Sequence, residues 1–467
     1  MAANPFQKAV REFDKNTLTV RRLALQILTT QKQSSRTMDS VIEDTLKGKI
    51  LRDRRDRALL NAMVFGVLRW RSRLDFIIQT YSRFPLKKID DQVLSNLRLG
   101  LFQILHLDRI PVSAAVNTSV ELAKLSSPPW VVRYVNAILR NAARGHKHIQ
   151  FPDIRTNPLQ AIAACKSFPQ WLIRRWLDTF GLDETLRLCD AINTIPPLTL
   201  RTNTLQTVRG TLLQSLRDHA ESVQPTNIAP DGVLLQNPNR TIPEFAAFKK
   251  GWFQVQDEAA QLVTLLLNPR PGEKILDACA GLGGKTGHMA QLMFDTGRIV
   301  ALDKNETKLE KLNEQMRRMG VSIVTSAKHD LNTTLLKENF GTFDRILLDA
   351  PCSGLGVLRR NPDSKWNIKE RMLKNYGNNQ LQLLNSLAHL VNRTGVMVFS
   401  VCSSEPEEGE LVSEQFLKSH PDFVIENPSP ALPAGFTSLV TREGYLKTSP
   451  HPHNMDGFFA VCYKRIG

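Results

Sequence analysis

From residue 246 onward the chain alternates short apolar runs with helix-like stretches, and this alternation restricts its fold more than any other feature. EKILDACA, GRIVALD, SIVTSAKHD, DRILLDAPC and GVMVFSVC are each the length of a buried strand, and stretches such as KLEKLNEQMRRMG separate them. Strands that alternate with helices build a doubly wound, mostly parallel sheet. Ligands of such sheets bind at the carboxyl ends of the strands. The residues that close each run are therefore the first candidates for chemistry.

The first run ends at Asp277 and leads into ACAGLGGKTGHMAQLM. A glycine-rich turn between strand and helix lets backbone approach a ligand closely and aims helix N–H groups at it. Two phosphate motifs are excluded by letter. A Walker A loop requires Gly where Cys279 stands, and a dinucleotide fingerprint begun at Gly281 meets Thr286 where its third Gly belongs. The second run ends at Asp303, 22 residues after Gly281, the spacing at which a carboxylate reaches ribose hydroxyls. The next delivers Asp330 near where an adenine would lie. A cofactor with ribose and adenine but no pyrophosphate suits this turn, and S-adenosylmethionine is the commonest.

Cys352 and Cys402 follow the fourth and fifth runs, so both are expected at one edge of the sheet beside the cofactor turn. Carbon 5 of cytosine is a poor nucleophile. A thiolate adding to carbon 6 makes it enamine-like and able to accept a methyl group; loss of the carbon-5 proton then expels the thiol. That chemistry requires an accessible Cys, a carboxylate at the base edge and a methyl donor, and the sequence offers all three. A free Cys in a strand more often belongs to the core, the reading given to Cys165, Cys189 and Cys462. At Cys402 the following Ser403, Ser404 and Glu405 instead mark a strand end. Arg359, Arg360 and Lys365 follow the Pro-Cys motif and are expected to contact RNA backbone.

The first third reads differently. LTVRRLALQILTTQ, RALLNAMVFGVLRWRSRLDFII and QVLSNLRLGLFQILHL carry apolar residues at helical spacing, with breaks at Asp108–Ser113 and Pro128-Pro129. Residues 1–150 hold 26 Lys and Arg against 12 Asp and Glu, whereas the remaining 317 carry 35 against 33. Concentrated positive charge favours a polyanion over an inert basic surface or anionic lipid. Arg52, Arg54, Arg55 and Arg57 are candidate phosphate contacts, although a solvated helix face is the commoner fate of any one of them. Between the two regions, PQWLIRRWLDTFG, DETLRLCDAINT, the strand-like LTLRTNT and helical TVRGTLLQSLRDH form a small α/β module. No apolar stretch is long enough to span a membrane, and the charged N-terminus lacks a signal-peptide core. The six cysteines include no CxxC pair, so neither a zinc knuckle nor a redox motif is expected. A cytoplasmic protein without bound metal follows.

Three segments, VQDEAAQLV, DAPCSGLGVLRRNPDSKW and PHPHNMDGFFAVCYKR, resemble the NOL1/NOP2/Sun family of RNA cytosine-5 methyltransferases. RDRALLNAMVFGVLRW, IPVSAAVNTSVELAK and YVNAILRN resemble the NusB-like helical domain, which makes the whole chain similar to the Sun/Fmu-type enzymes that act on 16S ribosomal RNA. The resemblance implies a NusB-like RNA-binding domain over residues 1–148, an adaptor over 149–245 and a Rossmann-like class I methyltransferase domain over 246–467. It implies Cys402 as nucleophile, Cys352 as the cysteine that assists product release, and Asp349 on the cytosine edge. Cys279, Ala280, Gly281, Leu282, Gly283, Gly284 and Lys285 become the S-adenosylmethionine loop, with Asp303 on ribose, Asp330 near adenine and Asp349 bordering the cofactor. The implied partner is 16S rRNA, unassembled or in an early small subunit, met by a monomer. Gly281-Leu282 replaces the family's Ala-Pro, and Val401 replaces the Thr before the nucleophile. A DNA cytosine-5 methyltransferase would use the Pro-Cys cysteine as nucleophile and carry a downstream ENV motif, which is absent. An RNA-binding assembly protein with weakened catalysis is the alternative from another class.

Overall fold

The computed structural model describes residues 19–30, 38–46, 51, 53–333, 340–427 and 432–466. The charged segment before residue 19 and Arg52 lie outside the described residues. The chain divides into two compact units. One holds Met1–Asn193 and Asn361–Asn367; the other holds Thr194–Arg360 and Ile368–Gly467. Among the described residues no helix is long and apolar enough to cross a membrane.

The first unit is helical, as its period predicts. Asp53 caps Arg54–Arg69 by accepting the Arg55 N–H, and Asp90 caps Asp91–His106 by accepting those of Gln92 and Val93. The predicted breaks hold: Pro111 precedes Val112–Lys124, and Pro129 opens Pro129–Gly145. The apolar faces meet in one core that includes Leu60, Val64, Leu97, Leu101, Val135 and Leu139. PQWLIRRWLDTFG and DETLRLCDAINT run as Gln170–Asn193, broken where Gly181 leaves the helical region at φ 75°.

The last six residues of the DAPCSGLGVLRRNPDSKW segment, with Asn367 after them, belong to this unit. Lys365 is 1% exposed; its ammonium donates to the Arg69 and Ser167 carbonyls at 3.3 Å and to Asn193 Oδ1 at 2.8 Å, 3.6 Å from the Phe168 ring centre. The Trp366 indole N–H donates to the Leu68 carbonyl at 2.7 Å. The expected RNA contact for Lys365 is therefore wrong. Main-chain carbonyls that need a donor take up its charge instead.

Between Val112–Lys124 and Pro129–Gly145 lies a groove of 640 Å³. Arg133, Arg140 and Arg144 line it with Asn117 and Asn136 over a valine floor, and no carboxylate lines it. Arg140 donates to Asn136 Oδ1 at 3.0 Å. Arg133 and Arg144 have no ion-pair partner among the described residues.

The second unit contains two sheets. The smaller is antiparallel, in the order β2 (Ser222–Pro225), β3 (Gly232–Gln236), β1 (Leu198–Thr202), β4 (Phe253–Val255). The larger contains five parallel strands in the order β9 (Val391–Val401), β8 (Phe343–Asp349), β5 (Lys274–Asp277), β6 (Arg298–Asp303), β7 (Val324–Lys328). These correspond to the five apolar runs. β10 (Phe423–Ile425) and β12 (Phe459–Arg465) extend the β9 edge antiparallel, and β11 (Leu446–Lys447) pairs with β12. Buried Leu276, Val300, Ile346, Leu348, Met397 and Phe399 fill one face of the sheet. The order matters for function: the register sets Asp349 beside Ser400 and Asp277 beside Leu347, so the ends of β9, β8, β5 and β6 form a row.

Candidate active site

Cys352 lies just past β8 and Cys402 just past β9, and the shared register brings their sulfurs to 3.2 Å. Both are partly accessible. The hydrogen bond to Cys402 and burial raise the Cys352 thiol well above its usual range. Close approach elsewhere holds the geometry. The Gly356 N–H donates to the Cys402 carbonyl at 2.9 Å, and the Gly457 N–H to the Gly356 carbonyl at 2.8 Å. A Cβ on Gly356 would lie 1.8 Å from the Gly457 carbonyl oxygen, so only glycine fits there.

Asp349 ends β8 with both oxygens engaged. Ser400 Oγ donates to Oδ1 at 2.8 Å, and Lys285 Nζ to Oδ2 at 2.6 Å. One strand along, Asp277 is buried and accepts from Thr286 Oγ1 at 2.7 Å; desolvation pushes its carboxyl up to about 7. The loop from Cys279 to Gly283 then leads into the helix Gly284–Leu292. Gly281 and Gly283 adopt φ +56° and +82°, the left-handed region. A Cβ on Gly281 or Gly284 would meet nothing within 4 Å, so the loop backbone faces open space. Asp303 closes the loop by accepting the Gly281 N–H at 3.0 Å and the Asn305 N–H at 2.8 Å. Asp330 is exposed and accepts the Asn332 N–H at 3.0 Å. An uncovered backbone turn flanked by two carboxylates fits a ribose and adenine, and helix N–H groups behind it fit a carboxylate.

With that geometry in view, the chain can be set beside known proteins. The family described as 16S rRNA methyltransferase RsmB/F matches residues 264–464, its RsmF/B-like ferredoxin-like domain residues 168–241, and the NusB family residues 18–144. A probable ribosomal RNA small subunit methyltransferase B of Synechocystis is 36% identical, across 96% of this chain and 100% of that protein. The chain belongs to the RsmB/F methyltransferase family. The Bacillus subtilis relative of the same description is 33% identical over 96% of this chain and 99% of its own length. The crystal structure of PH0851 shares the fold with a TM-score of 0.79 at 24% identity, covering 96% of this chain and 99% of that one. A methyltransferase homolog from Pyrococcus horikoshii has a TM-score of 0.57 at 26% identity, over 66% of this chain and 99% of its own.

In this member of the RsmB/F family, three segments distant in sequence meet at Arg360. Its Nη2 donates to Asp257 Oδ2 and its Nε to Asp456 Oδ2, both at 2.7 Å. Asp257 comes from VQDEAAQLV and Asp456 from PHPHNMDGFFAVCYKR. Arg359 is 4% exposed, with Nη1 donating to Asn454 Oδ1 at 3.0 Å and Nη2 to Thr194 Oγ1 at 3.2 Å. The expectation that Arg359 and Arg360 grip RNA is therefore corrected: Arg359 is itself buried, Arg360 is held by two carboxylates, and the pair anchors the loop that carries Cys352. Sequence reasoning also missed Arg201. From β1 its buried guanidinium bonds Gln256, Gln291 Oε1 at 3.2 Å and the Gly284 carbonyl at 2.7 Å, tying the small sheet to the start of the loop helix. No motif marks such a residue; only the fold brings its partners together. Of the two departures from the family pattern, Leu282 is 53% exposed on the loop and Val401 is fully buried in β9.

Proposed function

We propose that the protein methylates carbon 5 of a cytosine in small-subunit ribosomal RNA, with Cys402 as nucleophile and S-adenosylmethionine as cofactor. The observation that carries this reading is the pair of sulfurs 3.2 Å apart at adjacent strand ends, one strand from a glycine turn open to a ligand. The relatives' description as small subunit ribosomal RNA methyltransferases supports the RNA class.

Cys402, as thiolate, adds to carbon 6, and the electron pair moves to carbon 5. The bound cofactor, held by Cys279–Lys285, Asp303 and Asp330, supplies an electrophilic methyl group. Loss of the carbon-5 proton restores the ring double bond and breaks the Cys402–carbon 6 bond, and Cys352 assists that release. Asp349, held by Lys285 and Ser400, accepts from the exocyclic amine on the cytosine edge. The base must leave its stack to reach both sulfur and methyl donor, so an unpaired cytosine is the substrate. The groove with Arg133, Arg140 and Arg144 contacts the RNA backbone elsewhere on the strand.

The test is nucleoside analysis of small-subunit rRNA, from cells lacking the gene, after incubation with purified protein and labelled cofactor. Label is expected in 5-methylcytosine and absent with Cys402→Ala. Label in any other nucleoside would sink the proposal.

A further inference from the structure

One buried carboxylate joins the two cysteine loops. Glu408 is 0% exposed and lies in the short helical turn Pro406–Glu408 that follows Cys402. Its Oε2 accepts the Ser353 N–H at 2.7 Å and Gln380 Nε2 at 3.3 Å. Its Oε1 accepts Ser403 Oγ at 2.7 Å and Ser353 Oγ at 2.5 Å. Ser353 follows Cys352 and Ser403 follows Cys402. Gln380 also donates to the carbonyl of Pro351, the residue before Cys352, at 3.0 Å. The residues flanking both sulfurs are thus tied, directly or through one amide, to a single side chain.

We infer that Glu408 is a positioning residue that sets the distance between the two sulfurs and so allows Cys352 to act on Cys402. The inference rests on the two-cysteine reading above. Four hydrogen bonds converge on the carboxylate, two from N–H groups and two from serine hydroxyls. A neutral amide offers a single acceptor oxygen, so the Ser353 and Ser403 hydroxyls would have to turn and accept from its NH2. Shortening to Asp withdraws the carboxylate from at least one loop. Without the clamp, each cysteine keeps its own strand end but loses its fixed relation to the other. Displacement of about 1 Å in reacting groups costs on the order of 100-fold in rate.

The full chain carrying Glu408→Gln, Glu408→Asp or the pair Ser353→Ala with Ser403→Ala tests this. Thermal melting and circular dichroism establish that each variant is folded, and the serine pair keeps the test available if a Glu408 variant does not fold. The first readout is the rate at which diamide oxidises Cys352 and Cys402 to a disulfide, with the other four cysteines replaced by Ser or Ala. It reports sulfur proximity without RNA. The second is kcat and KM for RNA. Glu408→Gln is expected to slow cross-linking about tenfold or more and lower kcat on the order of 100-fold, with KM for RNA within about twofold. Glu408→Asp should recover part of both. Wild-type cross-linking in folded Glu408→Gln overturns the inference. Slowed cross-linking with unchanged kcat would leave the clamp standing and refute the two-cysteine reading instead.

Discussion

Arginine does different work in the two units. In the unit that carries the cysteines, Arg359 and Arg360 sit on acceptors supplied by distant segments, and their charge is spent on holding a loop. In the helical unit, Arg133 and Arg144 face an open groove with no carboxylate lining it. The sequence shows both sets as basic residues near a motif or on a helix, and nothing local separates them. What separates them is whether the fold brings an acid: Asp257 lies 103 positions from Arg360 and Asp456 lies 96. Positive charge therefore marks a polyanion surface only where folding leaves it unpaired.

That contrast can be broken, beginning with the largest effect. Cys402→Ala is expected to reduce methyl transfer below detection while RNA affinity, measured by filter binding, stays within about twofold of wild type. A parallel loss of RNA binding would mean that the cysteine edge and the groove are not separable in function. Cys352→Ala should retain attack but not release, accumulating a protein–RNA adduct that survives denaturing electrophoresis; normal product release would refute its role. Arg360→Ala leaves Asp257 and Asp456 facing each other, and should lower the stability of its unit by about 3 kcal/mol in denaturant unfolding. It should leave the salt dependence of RNA binding unchanged. Replacing Arg133, Arg140 and Arg144 together by Ala should do the converse: little change in stability, and a slope of log K against log salt shallower by about 2 for three lost single-strand contacts. Equal slopes in the two variants would erase the distinction between paired and unpaired arginines. The smallest effect is on acid stability. His106 stacks on Trp70 at 5.0 Å and Phe102 at 5.1 Å, and burial, with Arg73 nearby, lowers its pKa from 6.5 to about 4. The unfolded chain then takes up this proton first as pH falls, so stability is lost between about pH 6.5 and 4. Amide exchange in Asp91–His106, corrected for intrinsic rates, should rise across that window and flatten in His106→Leu.

The large sheet was readable because burial on both faces writes β5, β6, β8 and the end of β9 as apolar runs, while the edge strand β7, with no buried residue, was placed by its position in the alternation. The helical unit was readable from its period and its prolines. The small sheet was harder: β2 and β3 are 4 and 5 residues long and adjoin Pro225, Pro230 and Pro238, which reads as broken coil. Candidate site residues named from strand ends, including Cys352, Cys402 and Asp349, lie close together because parallel strands finish on one edge. Glu408 was invisible among Glu405, Glu407 and Glu410, since only its contacts with both cysteine loops, made by the fold, distinguish it. Lys365 misled for the same reason, its cationic head being satisfied by carbonyls that no sequence pattern displays.

The seven residues Asn361–Asn367 interrupt one unit and complete the other. Excising the helical portion at Asn193 would remove the donors on which the Leu68, Arg69 and Ser167 carbonyls rely, and leave the surrounding interior with unanswered acceptors. The helical portion is therefore not a detachable cassette. Recombination that transplants it must carry the Lys365–Trp366 plug as well, and that plug is encoded only 13 codons after Cys352. Inheritance of the two halves is coupled by a short stitch of chain.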